Sequence, residues 1–93
     1  MTSKEIAKLK LEKNEALCCV WNDILSESGW HDRPALDKAT PPEIKTLGFY
    51  DGMRNGGMVF KHTIDFTGDE SDFTTIPIGA ITRIRKLKIK EKI

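Results

Sequence analysis

The sequence predicts a mostly β domain: a small closed barrel of five strands with a helical extension at its N-terminus. Three observations carry that expectation. The chain from Ile44 onward alternates apolar and polar residues in short runs. Those runs are separated by strong turn signals, above all Arg54-Asn55-Gly56-Gly57, because Asn-Gly and Gly-Gly supply the positive φ angles of tight hairpins. Finally, Pro34, Pro41 and Pro42 exclude a continuous helix or a central strand where they fall, and Pro77 ends a short strand.

The elements follow in order. Residues 3–15 (SKEIAKLKLEKNE) predict an exposed helix, with Ser3 as a cap and Ile6 and Leu9 on one face; Leu9 and Leu11 also alternate with lysines, as in a strand. Residues 17–25 (LCCVWNDIL) are rich in β-formers and predict the first strand, with Leu17, Cys19, Trp21 and Asp23 on one side and Cys18, Val20, Asn22 and Ile24 on the other, both largely apolar at the start. Ser26 to Gly29 breaks it. Residues 30–43 (WHDRPALDKATPPE) predict a long irregular loop with one helical turn at 34–38. Ile44 to Met53 predicts a strand bent or bulged at Gly48. Met58 to Thr67 is its hairpin partner, with Met58, Phe60, His62, Ile64 and Phe66 expected to face the core. An acidic loop, a short strand from Phe73 to Ile76, a 3₁₀ turn at Pro77 to Ala80 and a last strand from Ile81 to Lys90 complete the chain. The last strand changes apolar parity, which predicts a bulge near Arg85. This order and spacing suit an SH3-like barrel over residues 16–93, preceded by the extension at 1–15. An open antiparallel sheet under the N-terminal helix is the alternative. Closure would remove both sheet edges.

The 93 residues suffice for one domain with one small core. Apolar residues make up 39% and charged residues 31%, the balance of a folded chain rather than a disordered one. No apolar run approaches the ~18 residues of a membrane span, and the lysine-studded start does not read as a signal peptide. With Cys18 and Cys19 adjacent and no other cysteine, there is no disulfide framework, and the expected compartment is the cytoplasm.

A net charge of +1 argues against a dedicated nucleic-acid binder, but the charge is uneven. Residues 81–93 carry six basic side chains against Glu91, whereas residues 16–80 carry five basic and ten acidic ones. Arg83, Arg85, Lys86 and Lys88 therefore form a candidate phosphate-binding strand; equally, such cations keep a sheet edge from pairing with other chains.

No catalytic motif emerges, and the expectation is a protein that is not an enzyme. There is no dinucleotide or phosphate-loop fingerprint and no nucleophile elbow. Cys18 and Cys19 lie in an apolar strand rather than an electropositive site. With His31 and His62 they lack zinc-ligand spacing, and the acids Asp65, Asp69, Glu70 and Asp72 lack the order of a calcium loop, so neither a metal nor a cofactor is expected. Trp30-His31-Asp32-Arg33 is the richest segment: an aromatic, an imidazole, a carboxylate and a guanidinium on a proline-bounded loop can stack a ring and pair with a phosphate. The candidate ligand-binding residues are Trp30, His31, Arg33, Tyr50, Arg54 and Lys61.

The arrangement Trp21-x-Asp23-Ile24, Gly29-Trp30, Pro42 before Thr46-Leu47-Gly48-Phe49, and Ile76-Pro77-x-Gly79-x-Ile81-x-x-Ile84 resembles small uncharacterised proteins of bacteriophages and prophages. The resemblance spans about residues 18–88. It implies an SH3-like barrel and a viral setting in the host cytoplasm, and it transfers no catalytic residue. The expectation drawn from it is a non-enzymatic, homo-oligomeric accessory protein that sequesters a nucleotide-derived immune signal of the host. A module that binds a host protein and a nucleic-acid binder acting through the last strand are the alternatives.

Overall fold

The computed structural model describes residues 1–24, 28–68 and 70–88. The elements run α1 (Ser3–Lys8), β1 (Ala16–Asn22), α2 (Arg33–Lys38), β2 (Glu43–Arg54), β3 (Gly57–Lys61), β4 (Phe73–Pro77), a 3₁₀ turn (Ile78–Ala80) and β5 (Ile81–Lys86). The five strands form one antiparallel sheet in the order β4-β3-β2-β1-β5. The fold is mostly β, as expected. The sheet is not closed, however: β4 and β5 are its two edges, so the expected barrel closure is corrected to an open sheet.

One face of the sheet holds the core. Leu17 and Cys19 of β1, Met58 and Phe60 of β3, Ile76 of β4, Ile81 of β5 and Ile6 of α1 pack together, with Met1, Leu11, Trp21, Tyr50, Ile78 and Ile84 around them. Trp21 meets its expected place beside the core, and its indole N–H donates to Thr46 Oγ1 at 3.0 Å, so its polar tip is satisfied. The α-amino group of Met1 donates to the carbonyls of Ile78 and Ile81, tying the start of the chain to the entry of β5.

The helix expected over 3–15 ends at Lys8. Thr2, not Ser3, caps it: Thr2 Oγ1 accepts from Glu5 N–H, and the Glu5 carboxylate accepts from Thr2 N–H. Lys10 and Asn14 then adopt positive φ, which no helix tolerates. The chain turns back and runs into β1, with Asn14 N–H donating to Tyr50 O and Tyr50 N–H to Glu15 O. The helical turn expected at 34–38 is α2, because Asp32 caps it by accepting from Ala35 N–H and Pro34 sits in the first turn, where its missing donor costs nothing. Leu25, expected to end the first strand, lies outside the described residues.

Three strand details differ from expectation. Gly48 is not a bulge: a Cβ there would lie 3.0 Å from Lys61 O and 3.1 Å from Phe60 Cβ, so the glycine permits close strand packing. The bulge comes later, between Tyr50 and Met53, where Gly52 takes φ +108°. Strand β3 stops at Lys61 rather than Thr67, because Asp65 Oδ1 accepts from both the backbone N–H and the hydroxyl of Thr67 and folds a local turn. His62 and Phe66, expected in the core, are consequently exposed, Phe66 at 72%, while Ile64 is half-buried. In β5 the irregularity falls between the residues opposite Val20 and Trp21, skipping Thr82 rather than lying near Arg85. The strand ends at Lys86, before Leu87 and Lys88, which were expected in it; Ile89 and Lys90 lie outside the described residues.

Candidate functional site

The six candidate ligand residues do not form one cluster. Trp30 is fully exposed at 103%, on the loop that leaves β1. His31 Nε2 lies 3.1 Å from Ser28 O, and Arg33 opens α2 on the surface. These three sit on the connection that enters β2 at Glu43, closed by Asp23 N–H donating to Pro42 O. Arg54 is at the other end of the twelve-residue β2. Tyr50 pairs with Phe60 on the core face and lines a shallow groove against α1 with Ile6, Ala7, Leu11 and Met53. Only Arg54 and Lys61 come together.

They meet around a residue that the sequence did not single out. Asp51 lies in the bulge between Tyr50 and Met53, and its side chain is 12% exposed. Arg54 Nη2 donates to Asp51 Oδ2 at 3.0 Å, and Lys61 Nζ stands 3.2 Å from Oδ1. Lys13 Nζ is 3.9 Å from Oδ1, and Lys61 Nζ also reaches Asn14 Oδ1 at 3.5 Å. Oδ1 is sealed from solvent without a well-angled hydrogen bond, so the charge of Lys61 is its main compensation. Burial resists ionisation of this carboxyl, but Lys61 and Arg54 outweigh it and hold Asp51 below the usual carboxylate range.

This cluster walls an open groove of about 740 Å³ on the sheet face opposite the core, lined by Asp51, Arg54, Asn55, Val59, Lys61, Glu70, Ser71, Phe73 and Thr75. Register explains the assembly. Val59 pairs with Thr75 and Lys61 with Phe73, so these four side chains alternate onto the same face. Asn55 is at the hairpin tip, and Phe73 is 65% exposed at the edge. The groove thus offers an aromatic face, a half-exposed guanidinium, an ammonium, side-chain amide and hydroxyl groups, and a second carboxylate from Glu70. Asp51 and Phe73 were legible only through the pairing of β2, β3 and β4; the i, i+3 spacing of Asp51 and Arg54 was the one local signal.

The basic residues of β5 are placed as a strand edge. Arg83 pairs with Val20 and Arg85 with Cys18, which puts both on the face away from the core. Lys86 Nζ is held 3.4 Å from Glu15 Oε2, and Lys88 lines a third groove with Leu47, Phe49, His62 and Leu87. Cys19 is buried, and burial followed by the proximity of Cys18 pushes its thiol up to about 11, the opposite of an activated nucleophile. Among the described residues no group of three or more His, Cys, Asp or Glu could hold a metal ion, and no helix is long and apolar enough to cross a membrane.

The chain matches no protein-family model, no curated protein and no solved structure. What the groove can bind therefore follows from its own chemistry.

Proposed function

We propose that this chain is a non-enzymatic binding domain whose groove at Arg54, Lys61 and Phe73 takes a small anionic ligand with a planar ring, of the nucleotide-derived class. The observation that supports this reading is the placement of two cations and an exposed aromatic along one sheet face. Asp51 holds both cations in position, and since Glu70 also lines the groove, an anion is held by direct contacts with Arg54 and Lys61 rather than by net charge. A ring stacks on Phe73, and a phosphate exchanges contacts with Arg54, whose guanidinium is fixed by a single carboxylate oxygen. Among the described residues of the groove, Asp51 is engaged by Arg54 and Lys61 as an ion pair, which supports a reading of capture rather than turnover. Together with the resemblance to phage proteins, it makes the chain an accessory protein that sequesters a host signal in the cytoplasm. The strand order, with a 3₁₀ turn between β4 and β5, supports an SH3-like arrangement whose closure is incomplete.

The test is equilibration of the purified chain with a nucleotide pool, followed by washing, denaturation and mass spectrometry. A released nucleotide-type molecule is expected, with at least tenfold less from Arg54→Ala or Lys61→Met and an unchanged yield from Trp30→Ala. A blank from the folded wild-type chain would sink the proposal. A second reading, phosphate-backbone binding through Arg83, Arg85 and Lys88, is favoured by the outward projection of the two arginines. It requires a retarded DNA or RNA band at low salt that disappears steeply as salt is raised.

A further inference from the structure

The two edges of the sheet are built differently, and the difference points to a partner. Strand β5 carries Arg83, Arg85 and Lys86 within six residues. Such cations repel a second copy of the same edge. Strand β4, Phe-Thr-Thr-Ile-Pro, carries no charge at all, and three of its five residues are β-branched. Its aromatic end, Phe73, is largely exposed.

Backbone directions sharpen the contrast. His62 N–H donates to Asp72 O and Ile78 N–H donates to Gly56 O, one pair at each end of the β3–β4 ladder. In an antiparallel ladder bonded pairs alternate, so Thr74 and Ile76 turn their backbone groups toward β3. Phe73 and Thr75 turn theirs outward, to the open edge. Pro77 has no N–H, so the edge loses its donor there while keeping an acceptor.

We infer that two copies of this chain pair through β4, antiparallel across a two-fold axis at Thr75, into one continuous sheet. In that register Thr75 and the partner's Thr75 exchange both N–H···O bonds. Phe73 N–H meets the carbonyl of the partner's Pro77, where the missing donor is least costly. Phe73 packs on the partner's Pro77, and the threonines meet side by side on the groove face. Like-charge repulsion, which bars β5 from the same self-pairing, is absent. Because Phe73 and Thr75 also line the groove, the partner's strand extends its floor and brings the two grooves to either side of the axis. The contact is small against a standard interface of ~1,600 Å², so the dimer is concentration-dependent. The inference stands whether or not the groove binds a nucleotide.

Sedimentation equilibrium of the full chain from about 5 to 500 μM tests it. A monomer–dimer equilibrium is expected, weakened at least tenfold by Thr75→Lys, which sets two ammonium groups against each other at the axis, and unchanged by Arg83→Glu on the other edge. Amide hydrogen exchange on the wild-type chain reads the same contact without a variant: the Phe73 and Thr75 amides gain protection as concentration rises. A wild-type monomer throughout, open-ended assembly beyond the dimer, or a dimer that Arg83→Glu dissolves while Phe73 and Thr75 exchange unchanged would each overturn the inference.

Discussion

Cys18 and Cys19 are neighbours in the chain and occupy opposite faces of β1. Cys19 is sealed in the core and Cys18 is half-buried on the other side. Strand alternation sends the two side chains to opposite faces. One equivalent of a thiol reagent is therefore expected to react with the native chain, at Cys18, and the second only after denaturant is added; mass mapping of the alkylated peptides checks the order. Burial raises the Cys19 pKa to about 11, above the ~8.5 of an unfolded thiol. The unfolded state then gives up its proton first as pH rises. The stability contributed by the neutral buried thiol is fully present below pH ~8.5 and is lost as pH climbs toward 11. Urea midpoints of the wild type and Cys19→Ala, taken at pH 7 and 10, should show the larger decline for the wild type. At Asp51 the direction is reversed: its depressed pKa makes the carboxylate's contribution present at neutral pH and lost as pH falls through the acid range.

At the scale of elements, the β2–β3 hairpin decides where the groove lies. Asn55 and Gly56 both take positive φ, at 53° and 75°, the requirement of a tight turn whose twist matches the flanking strands. Asn tolerates that region and a Cβ at Gly56 would meet no atom within 4 Å, so the cost of a substitution there is conformational rather than steric. Gly56→Ala is expected to destabilise the chain by about 1–2 kcal/mol. Thermal unfolding should show this as a fall in Tm of roughly 4–8 °C per kcal/mol for a domain of this size. The turn was legible because its residues carry their own backbone preference. The end of β3 was not, since alternation continues through Phe66 while the Asp65–Thr67 hydrogen bonds, made by side chains with the backbone, stop the strand.

Across the whole molecule, one small core serves all five strands and α1. Phe60 has no exposed area and lies on the core face of β3, between β2 and β4. Phe60→Ala is expected to cost about 3–5 kcal/mol. Since a domain of this kind has only about 5–15 kcal/mol in total, the variant should be substantially unfolded in mild urea, which a denaturation curve followed by far-UV circular dichroism would measure. Ile6 belongs to the same core, so α1 packs on the sheet through that side chain.

Local sequence alone shows that the chain is mostly β, where its hairpin and 3₁₀ turn fall, and that Met58 and Phe60 of β3 face the core. Those features follow from local preferences and period-two alternation, which act over a few residues. The tertiary structure alone decided that the sheet stays open with β4 and β5 as edges. It also separated Trp30, His31 and Arg33 from Arg54 and Lys61, and made Asp51 the anchor of the groove. Each of these depends on strand register between residues far apart in the chain, and neither a residue's own preference nor its neighbours in sequence encode that register.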